Sequence, residues 1–170
     1  MSRHSVGLSL RKVARLSHKL IARGAEAGWL IERLFESVRL ALVCGDGYAH
    51  VVDEEVLGYA ECRDEENYHT IHSVIVLENA QAQHIGIALM QNRLDECFRR
   101  NPDKNVILAC SPDLVKWYKK FGFLPMAKEN APECIRGGRG NEEWKECNRI
   151  WMMCTMKIYL YKKEKEFPSS

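Results

Sequence analysis

The segment from Val74 to Met90 has the residue types and spacing of a phosphate-binding turn. It reads Val-Ile-Val-Leu-Glu-Asn-Ala-Gln-Ala-Gln-His-Ile-Gly-Ile-Ala-Leu-Met, so a buried strand leads through a short polar loop into a helix that begins around Gly86. At such a junction the unpaired backbone N–H groups and the positive end of the helix dipole point at one spot. A glycine there lets the backbone approach phosphate oxygens closely. Many strand–helix junctions carry a glycine for structural reasons alone, so this segment by itself leaves a purely structural interpretation open.

The elements around this segment are predicted from the periodicity of apolar residues. Strands are expected at residues 6–12, 39–44, 56–62, 68–77, 106–110 and 149–161, and a further strand is expected to begin at Phe123 and to be limited by Pro125. Helices are expected at 13–21, 29–38, 85–98 and 114–121. Ser111 is the expected N-cap of the last of these helices, with Pro112 as its first residue. The mixed order of strands and helices predicts the α/β fold class, with one sheet flanked by helices. We expect a single domain over residues 1–162, a long loop at 131–148 and a solvated tail at 163–170.

The composition is that of a globular domain that works in solution. The chain has 170 residues, of which 46% are hydrophobic and 28% charged. Its seven cysteines are scattered, with no Cys-x-x-Cys pair, which favours reduced thiols over a zinc site and predicts a reducing, cytoplasmic compartment. We find no pattern typical of a signal peptide and no apolar run long enough to span a bilayer, so no membrane association is expected.

Opposite charges concentrate in two stretches of the chain. Residues 1–40 carry eight Lys or Arg against three Glu, whereas residues 41–70 carry eight Asp or Glu against one Arg. Two solvated faces of opposite sign explain this pattern most simply. The alternatives are a docking surface for a polyanion near the N-terminus, or an acidic mouth that attracts an amine.

A second segment, from Tyr118 to Phe123, follows the predicted 106–110 strand. Together with the segment from Val74 to Met90, it resembles the GNAT superfamily of N-acetyltransferases. Tyr118-Lys-Lys-Phe-Gly122-Phe123 fits the family's Tyr-x-x-x-Gly-Phe pattern residue for residue. The loop that follows the 68–77 strand is similar to the family's pyrophosphate loop, Gln/Arg-x-x-Gly-x-Gly/Ala. The resemblance covers about residues 39–123 and implies a mixed, mostly antiparallel sheet of six to seven strands, splayed at its centre and flanked by helices.

The pyrophosphate loop admits two registers. One is Gln83-x-x-Gly86-x-Ala88, and the other is Gln81-x-x-His84-x-Gly86, with His84 where the family usually has glycine. The second register is slightly favoured because it aligns the apolar residues of the following helix. The resemblance implies that acetyl-CoA, as co-substrate, contacts the central strand, this loop and the strand that follows. The implied contacts are Val74, Val76, Gln81, Gln83, His84, Ile85, Gly86, Ile87, Ala88 and Ser111.

The same resemblance implies direct transfer of the acetyl group to an amine. Tyr118 corresponds to the family's general acid, which protonates the leaving CoA thiolate, and a backbone N–H near Val76 would hold the oxyanion. The general base is left open between His72, which strand alternation places in step with Val74 and Val76, Glu61 on the preceding strand, and water. Where the family often has Asn, this chain has Ser111 and Pro112, which puts the usual side-chain contact to pantetheine in doubt. No metal is expected.

The acceptor is not fixed by these motifs. It could be a small amine guided by acidic residues (Glu54, Glu55, Glu61 and Asp64), a protein lysine or N-terminus, or the amino group of a charged tRNA, as in GNAT-type toxins. For tRNA, the basic N-terminal helices would engage the phosphate backbone. A non-catalytic CoA-binding or interaction module on the same fold is the alternative from another class. Whether the chain forms a homodimer is also left open.

Overall fold

The structure, a computed structural model, describes residues 8–28, 33–131 and 149–167. Within these ranges the helices are α1 (Leu10–Glu26), α2 (Phe35–Cys44), α3 (Ile85–Arg100), α4 (Val115–Lys119) and α5 (Met156–Glu166). The strands are β1 (Gly47–Val52), β2 (Glu55–Asp64), β3 (Tyr68–Val76), β4 (Asn105–Cys110), β5 (Leu124–Pro125) and β6 (Ile150–Cys154). They form one six-stranded sheet in the order β1-β2-β3-β4-β6-β5, which confirms the predicted fold class.

The described residues belong to two compact units. Unit 1 comprises Met1–Arg63 and Ile71–Arg93, and unit 2 comprises Asp64–Thr70 and Leu94–Ser170. Both β3 and α3 contribute residues to each unit. The described part of the chain contains no helix that is long and apolar enough to cross a membrane.

In unit 1, two helices precede an antiparallel hairpin. Ser9 caps α1, because its side chain accepts a hydrogen bond from the Lys12 backbone N–H. The hairpin of β1 and β2 turns at Asp53 and Glu54, whose φ angles of 45° and 65° are those of a two-residue turn that matches the strand twist. Side chains from both helices and the strands form one apolar core, made by Leu20, Ile21, Val38, Val56, Tyr59 and Ile75.

Two sequence predictions in unit 1 are wrong. Residues 39–44 were expected to form a strand but lie in α2, and α1 already begins at Leu10, inside the predicted 6–12 strand. A short apolar run does not distinguish a strand from a buried helix by periodicity alone. Val38 and Ala41, the buried residues of α2, are three apart, which is helical spacing. Gly45, with φ of 79°, ends this helix in the left-handed conformation.

In unit 2, β4 is the central strand. It pairs in parallel with β3 over three residue pairs, Tyr68–Thr70 with Asn105–Ile107. On its other side β4 pairs antiparallel with β6 over five residue pairs, from Val106 with Cys154 to Cys110 with Ile150. The short parallel ladder is compatible with the splay that the family resemblance implies.

The C-terminal part of unit 2 differs from the prediction. The expected 149–161 strand ends at Cys154, and α5 begins at Met156 after Thr155, whose hydroxyl accepts a hydrogen bond from the Ile158 N–H. A Thr at an N-cap stops a strand and starts a helix even where the residues stay apolar. The predicted loop at 131–148 lies, beyond Ala131, outside the described residues. Five cysteines are described as free thiols, four of them buried.

Candidate functional site

The loop between β3 and α3 ends in a residue with left-handed backbone. A 3-10 turn covers Glu78–Gln83, His84 follows with φ of 59°, and α3 begins at Ile85. The N–H groups of Ile87 and Ala88 bond to the His84 carbonyl at 3.0 and 3.1 Å. The amides of Ile85 and Gly86 precede these first bonds, at the positive end of a 16-residue helix. This arrangement can hold an anion through backbone N–H groups.

The backbone conformation of His84 helps to choose between the two registers of the loop. Left-handed backbone favours glycine, and a non-glycine residue there costs about 1–2 kcal/mol. A glycine requirement at position 84 is what the second register, Gln81-x-x-His84-x-Gly86, predicts. The backbone therefore favours that register over the one that begins at Gln83.

The end of β3 carries a backbone irregularity. Ser73 has φ of 53°, which interrupts the regular pleat between His72 and Val74. Val74 and Val76 are half-buried and pack against a cluster that includes Ala60 and Leu89. Their side chains are thus used for packing. Because alternation breaks at Ser73, it no longer places His72 in step with Val74 and Val76.

Glu61 lies buried in unit 1 among hydrogen-bond donors. Its Oε1 accepts from Arg33 Nη2 at 2.9 Å and from Arg63 Nε at 3.1 Å, and its Oε2 accepts from the Tyr59 hydroxyl at 3.1 Å. Burial and the charge of Glu61 raise the pKa of Tyr59, so the phenol stays protonated and donates. Both carboxylate oxygens are therefore occupied, which suits a positioning role better than that of a free base.

His72 is a poor match for a general base. Burial, together with the positive charges of Arg63 and Arg33, lowers the pKa of His72 to about 4. General bases work best with a pKa near the operating pH. At neutral pH this imidazole is uncharged and only weakly able to take up a proton.

This lowered pKa predicts an acid-sensitive stability. The folded pKa of about 4 lies below the ordinary value of 6.5, so the unfolded chain binds more protons between these values. The free energy of unfolding is therefore expected to fall by about 2–3 kcal/mol through His72 between pH 7 and pH 4. Urea unfolding of wild type and His72→Gln at both pH values checks this. An equal pH dependence in the two proteins would contradict it.

Unit 2 holds the remaining predicted residues, Tyr118 and Ser111. Helix α4 buries Tyr118, which is 7% exposed and makes edge-to-face contacts with Trp117 and Phe123. Burial and the neighbouring Cys110 raise the pKa of Tyr118, so its hydroxyl stays protonated. Ser111 occupies the N-cap position of the 3-10 turn Pro112–Leu114, as predicted, but its side chain makes no capping hydrogen bond.

The acidic residues proposed to attract an amine are mostly paired with cations. Glu54 bonds to Lys12 at 2.8 Å, and Asp64 bonds to Lys104 at 2.6 Å and lies 3.2 Å from His69 Nδ1. Glu61 is held by two arginines. These pairs neutralise three of the four carboxylates, which weakens the hypothesis of an acidic mouth.

The sequence predictions did not include Arg33, Arg63 or Arg93. Tyr59, Glu61 and Arg63 alternate along β2, so period-2 spacing was a usable signal for Arg63. Arg33 is 28 positions from Glu61, and no local pattern signals that contact. The buried Arg93 bonds to the carbonyls of Gly45 and Asp46 at 2.8 Å, where it supports the end of α2.

Comparison with known proteins identifies the family. A family model for the acetyltransferase (GNAT) domain matches residues 39–137, more than half of the chain. Protein ElaA of Escherichia coli (strain K12) is 32% identical over 79 residues, which are 45% of this chain and 52% of that protein. Protein ElaA of Shigella flexneri matches to the same extent. The chain thus spans about half the length of the curated relatives it matches.

Solved structures share the fold at low sequence identity. N-acetylglutamate synthase from Neisseria gonorrhoeae, solved with coenzyme A and N-acetyl-glutamate, matches with a TM-score of 0.69 and 18% identity, over 82% of this chain and 32% of that one. A Mycobacterium tuberculosis protein solved with CoA matches with a TM-score of 0.68 and 12% identity, over 85% of this chain and 95% of that one. An acyl-CoA N-acyltransferase from Pseudomonas aeruginosa matches with a TM-score of 0.58 and 18% identity, over 90% of this chain and 96% of that one. With the predicted motifs and fold in place, the chain belongs to the GNAT family of acetyltransferases.

Proposed function

We propose that this protein transfers the acetyl group of acetyl-CoA directly to a primary amine. The observation that supports the proposal is the junction at His84, where a left-handed residue precedes the start of α3, an arrangement that could hold the CoA pyrophosphate through backbone N–H groups. Two structures that share the fold were solved with CoA bound.

The donor half of the proposal involves unit 1. The amides of Ile85 and Gly86 would hold the CoA pyrophosphate, and the backbone of Val74 and Val76 would pair with pantetheine. The valine side chains are apolar and pack against the cluster that includes Ala60 and Leu89, so any polar contact from these two residues would have to come from their backbone. Backbone recognition of this kind explains why the loop tolerates His84 in place of glycine.

The chemistry is a displacement at the thioester carbonyl. The amine nitrogen attacks the carbonyl carbon, a backbone N–H near Val76 stabilises the oxyanion, and the C–S bond breaks as the thiolate leaves. We assign Tyr118 as the acid that protonates the thiolate, because it occupies the tyrosine position of the family's Tyr-x-x-x-Gly-Phe motif. Its raised pKa keeps the phenol protonated at neutral pH, so that it has a proton to give. Burial also raises the pKa of Cys110 to about 11, so this thiol is not a ready nucleophile and no acetyl-cysteine intermediate is invoked.

Water is the proposed acceptor of the amine proton. His72 has a pKa of about 4, well below that of an effective base at neutral pH. Glu61 has both oxygens engaged by donors from Tyr59, Arg33 and Arg63. Neither side chain therefore replaces solvent as the acceptor.

The direct test is release of CoA thiol from acetyl-CoA in the presence of a panel of amines, together with calorimetric titration of acetyl-CoA. Amine-dependent thiol release supports the proposal. Binding of acetyl-CoA without transfer to any amine would favour a non-catalytic CoA-binding module, and absence of binding would overturn the proposal altogether. Acetylation confined to a charged tRNA would identify the toxin-like activity.

Gly86→Asp is expected to weaken acetyl-CoA binding by at least about tenfold, because the new carboxylate would repel the pyrophosphate at close range. An acid in the first turn favours the helix dipole, so α3 itself should not lose stability. Calorimetry with acetyl-CoA gives the affinity, and thermal unfolding reports the fold.

The matched control for Gly86→Asp is Asn130→Asp, which adds the same charge at an exposed turn position. The control should bind acetyl-CoA with unchanged affinity. Equal affinities of the two variants would show that this loop does not hold the phosphates.

A further inference from the structure

Two guanidinium groups share one carboxylate in unit 1. Arg33 and Arg63 both donate to Oε1 of Glu61, at 2.9 and 3.1 Å. The other oxygen accepts from a neutral phenol, that of Tyr59. The cluster of Arg33, Arg63 and Glu61 therefore carries one positive charge in excess, since two cations face one anion.

Most hydrogen-bond donors of the two arginines are unused. A guanidinium has five N–H donors, and each arginine spends one of its groups on Glu61. Among the described residues, neither arginine makes a further hydrogen bond or ion pair. The side chain of Arg63 is 44% exposed and that of Arg33 is 16% exposed. A small anion from solution can therefore reach the cluster, and Arg63 is the more accessible side.

The excess charge of the cluster acts on β3. Both arginines shift the titration of His72 in the direction expected for nearby positive charge. His72 lies two residues before Val74, at the strand end that we assign to acetyl-CoA. The cationic cluster thus acts on the part of β3 that directly precedes the residues we assign to acetyl-CoA.

We propose that Arg33 and Arg63 bind a carboxylate of the acceptor, which makes the acceptor a small amine of the amino acid class. The planar fork of Arg matches a carboxylate with two parallel hydrogen bonds. Glu61 holds both arginines in place from the buried side, and it limits the excess charge to one, which suits one carboxylate. This inference rests on the proposed acetyl transfer for its acceptor, but the carboxylate site can be tested without catalysis.

The experiment titrates a panel of L-amino acids, each paired with its carboxamide, into protein saturated with CoA. The amide keeps the amine and the side chain and removes the carboxylate, and CoA without an acetyl group prevents turnover. At least one amino acid should bind at least about tenfold more tightly than its amide, as charge-assisted hydrogen bonds require. Arg63→Gln should abolish this difference and leave CoA affinity unchanged.

Arg39→Gln is the matched control, because Arg39 is 45% exposed and also pairs with a glutamate, Glu36. This variant should keep the preference for the carboxylate. Arg63→Lys should recover part of the affinity, because it restores the charge without the fork. Thermal unfolding of each variant shows whether the fold is retained.

Equal binding of acids and amides, no binding of any amino acid, or an unchanged preference in Arg63→Gln would overturn the carboxylate site. The carboxylate site would also be overturned if Arg63→Gln changed the affinity for RNA but not the binding of amino acids. Arg63-dependent binding of an amino acid without acetyl transfer would keep the site and remove the proposed activity. Acetyl transfer only to amines that lack a carboxylate would keep the proposed activity and overturn the carboxylate site.

Discussion

Tyr118→Phe is expected to lower kcat for acetyl transfer by about 100-fold or more, the usual contribution of a general acid. The variant removes one oxygen from a ring that packs edge to face against Trp117 and Phe123. Among the described residues the hydroxyl has no hydrogen-bond partner, so its loss should not disturb the fold. Without the phenol, the CoA thiolate must leave unprotonated or take its proton from water. Thiol release at saturating acetyl-CoA and amine measures the effect.

Tyr161→Phe is the control, since Tyr161 is 55% exposed on α5 and has no assigned role. Its kcat should equal that of the wild type. In Tyr118→Phe the affinity for acetyl-CoA should stay within about twofold, because the proton is transferred only in the transition state. A variant with wild-type kcat would remove Tyr118 from the mechanism. One with weaker binding and unchanged kcat would make it a packing residue of the donor site.

The motif around Tyr118 was predictable because its requirements are local. Gly122 has φ of 94°, and a Cβ atom there would lie 2.8 Å from a side-chain carbon of Ile158. Phe121 and Phe123 on either side are fully buried. A turn that admits only glycine, between two core aromatics, leaves a pattern in consecutive residues. The family resemblance at this segment therefore reflects physical constraints on consecutive residues, which are visible in a single sequence.

Other elements were missed where the sequence signal is ambiguous or weak. The apolar run at residues 39–44 fits a strand as well as a helix. Strand β1 was missed because it is an edge strand whose residues, apart from Gly47, are half-buried or exposed, which leaves little alternation to detect. In contrast, β2, β3, β4 and α3 have strong periodicity and were predicted within about two or three residues of their bounds.

The sequence predicted only those parts of the candidate site that depend on one continuous segment. The loop from Gln81 to Ala88 could be proposed from the sequence, but an argument for one of its two registers needed the backbone angle of His84. Both candidate bases were chosen by residue type and by their expected positions on adjacent strands. Their suitability depends on burial and on Arg33 and Arg63, which tertiary structure brings to Glu61. Such contacts between distant positions are not visible in a single sequence.

Glu61→Ala is expected to lower the free energy of unfolding by about 3–5 kcal/mol, as when one partner of a buried ion pair is removed. Arg33, 16% exposed, would keep its charge without an anion, and the buried Tyr59 hydroxyl would lose its acceptor. The melting temperature should fall by about 6–20 °C for a chain of this size. Calorimetry and urea unfolding measure the two quantities.

Two further variants separate stability from chemistry at this position. Glu36→Ala removes a carboxylate that is 68% exposed and pairs with Arg39 on the surface, so its cost should stay below about 1 kcal/mol. Glu61→Gln keeps one acceptor oxygen for Arg33 and Arg63, and its amide N–H can donate to the Tyr59 hydroxyl oxygen. It should therefore be more stable than Glu61→Ala and, at saturating acceptor, retain most of the kcat. If Glu61→Gln folds normally but loses kcat by about 100-fold, Glu61 is the general base after all. If Glu61→Ala is no less stable than Glu36→Ala, the arginines do not depend on Glu61 for their placement. The carboxylate site would then lack the buried anchor on which it was argued.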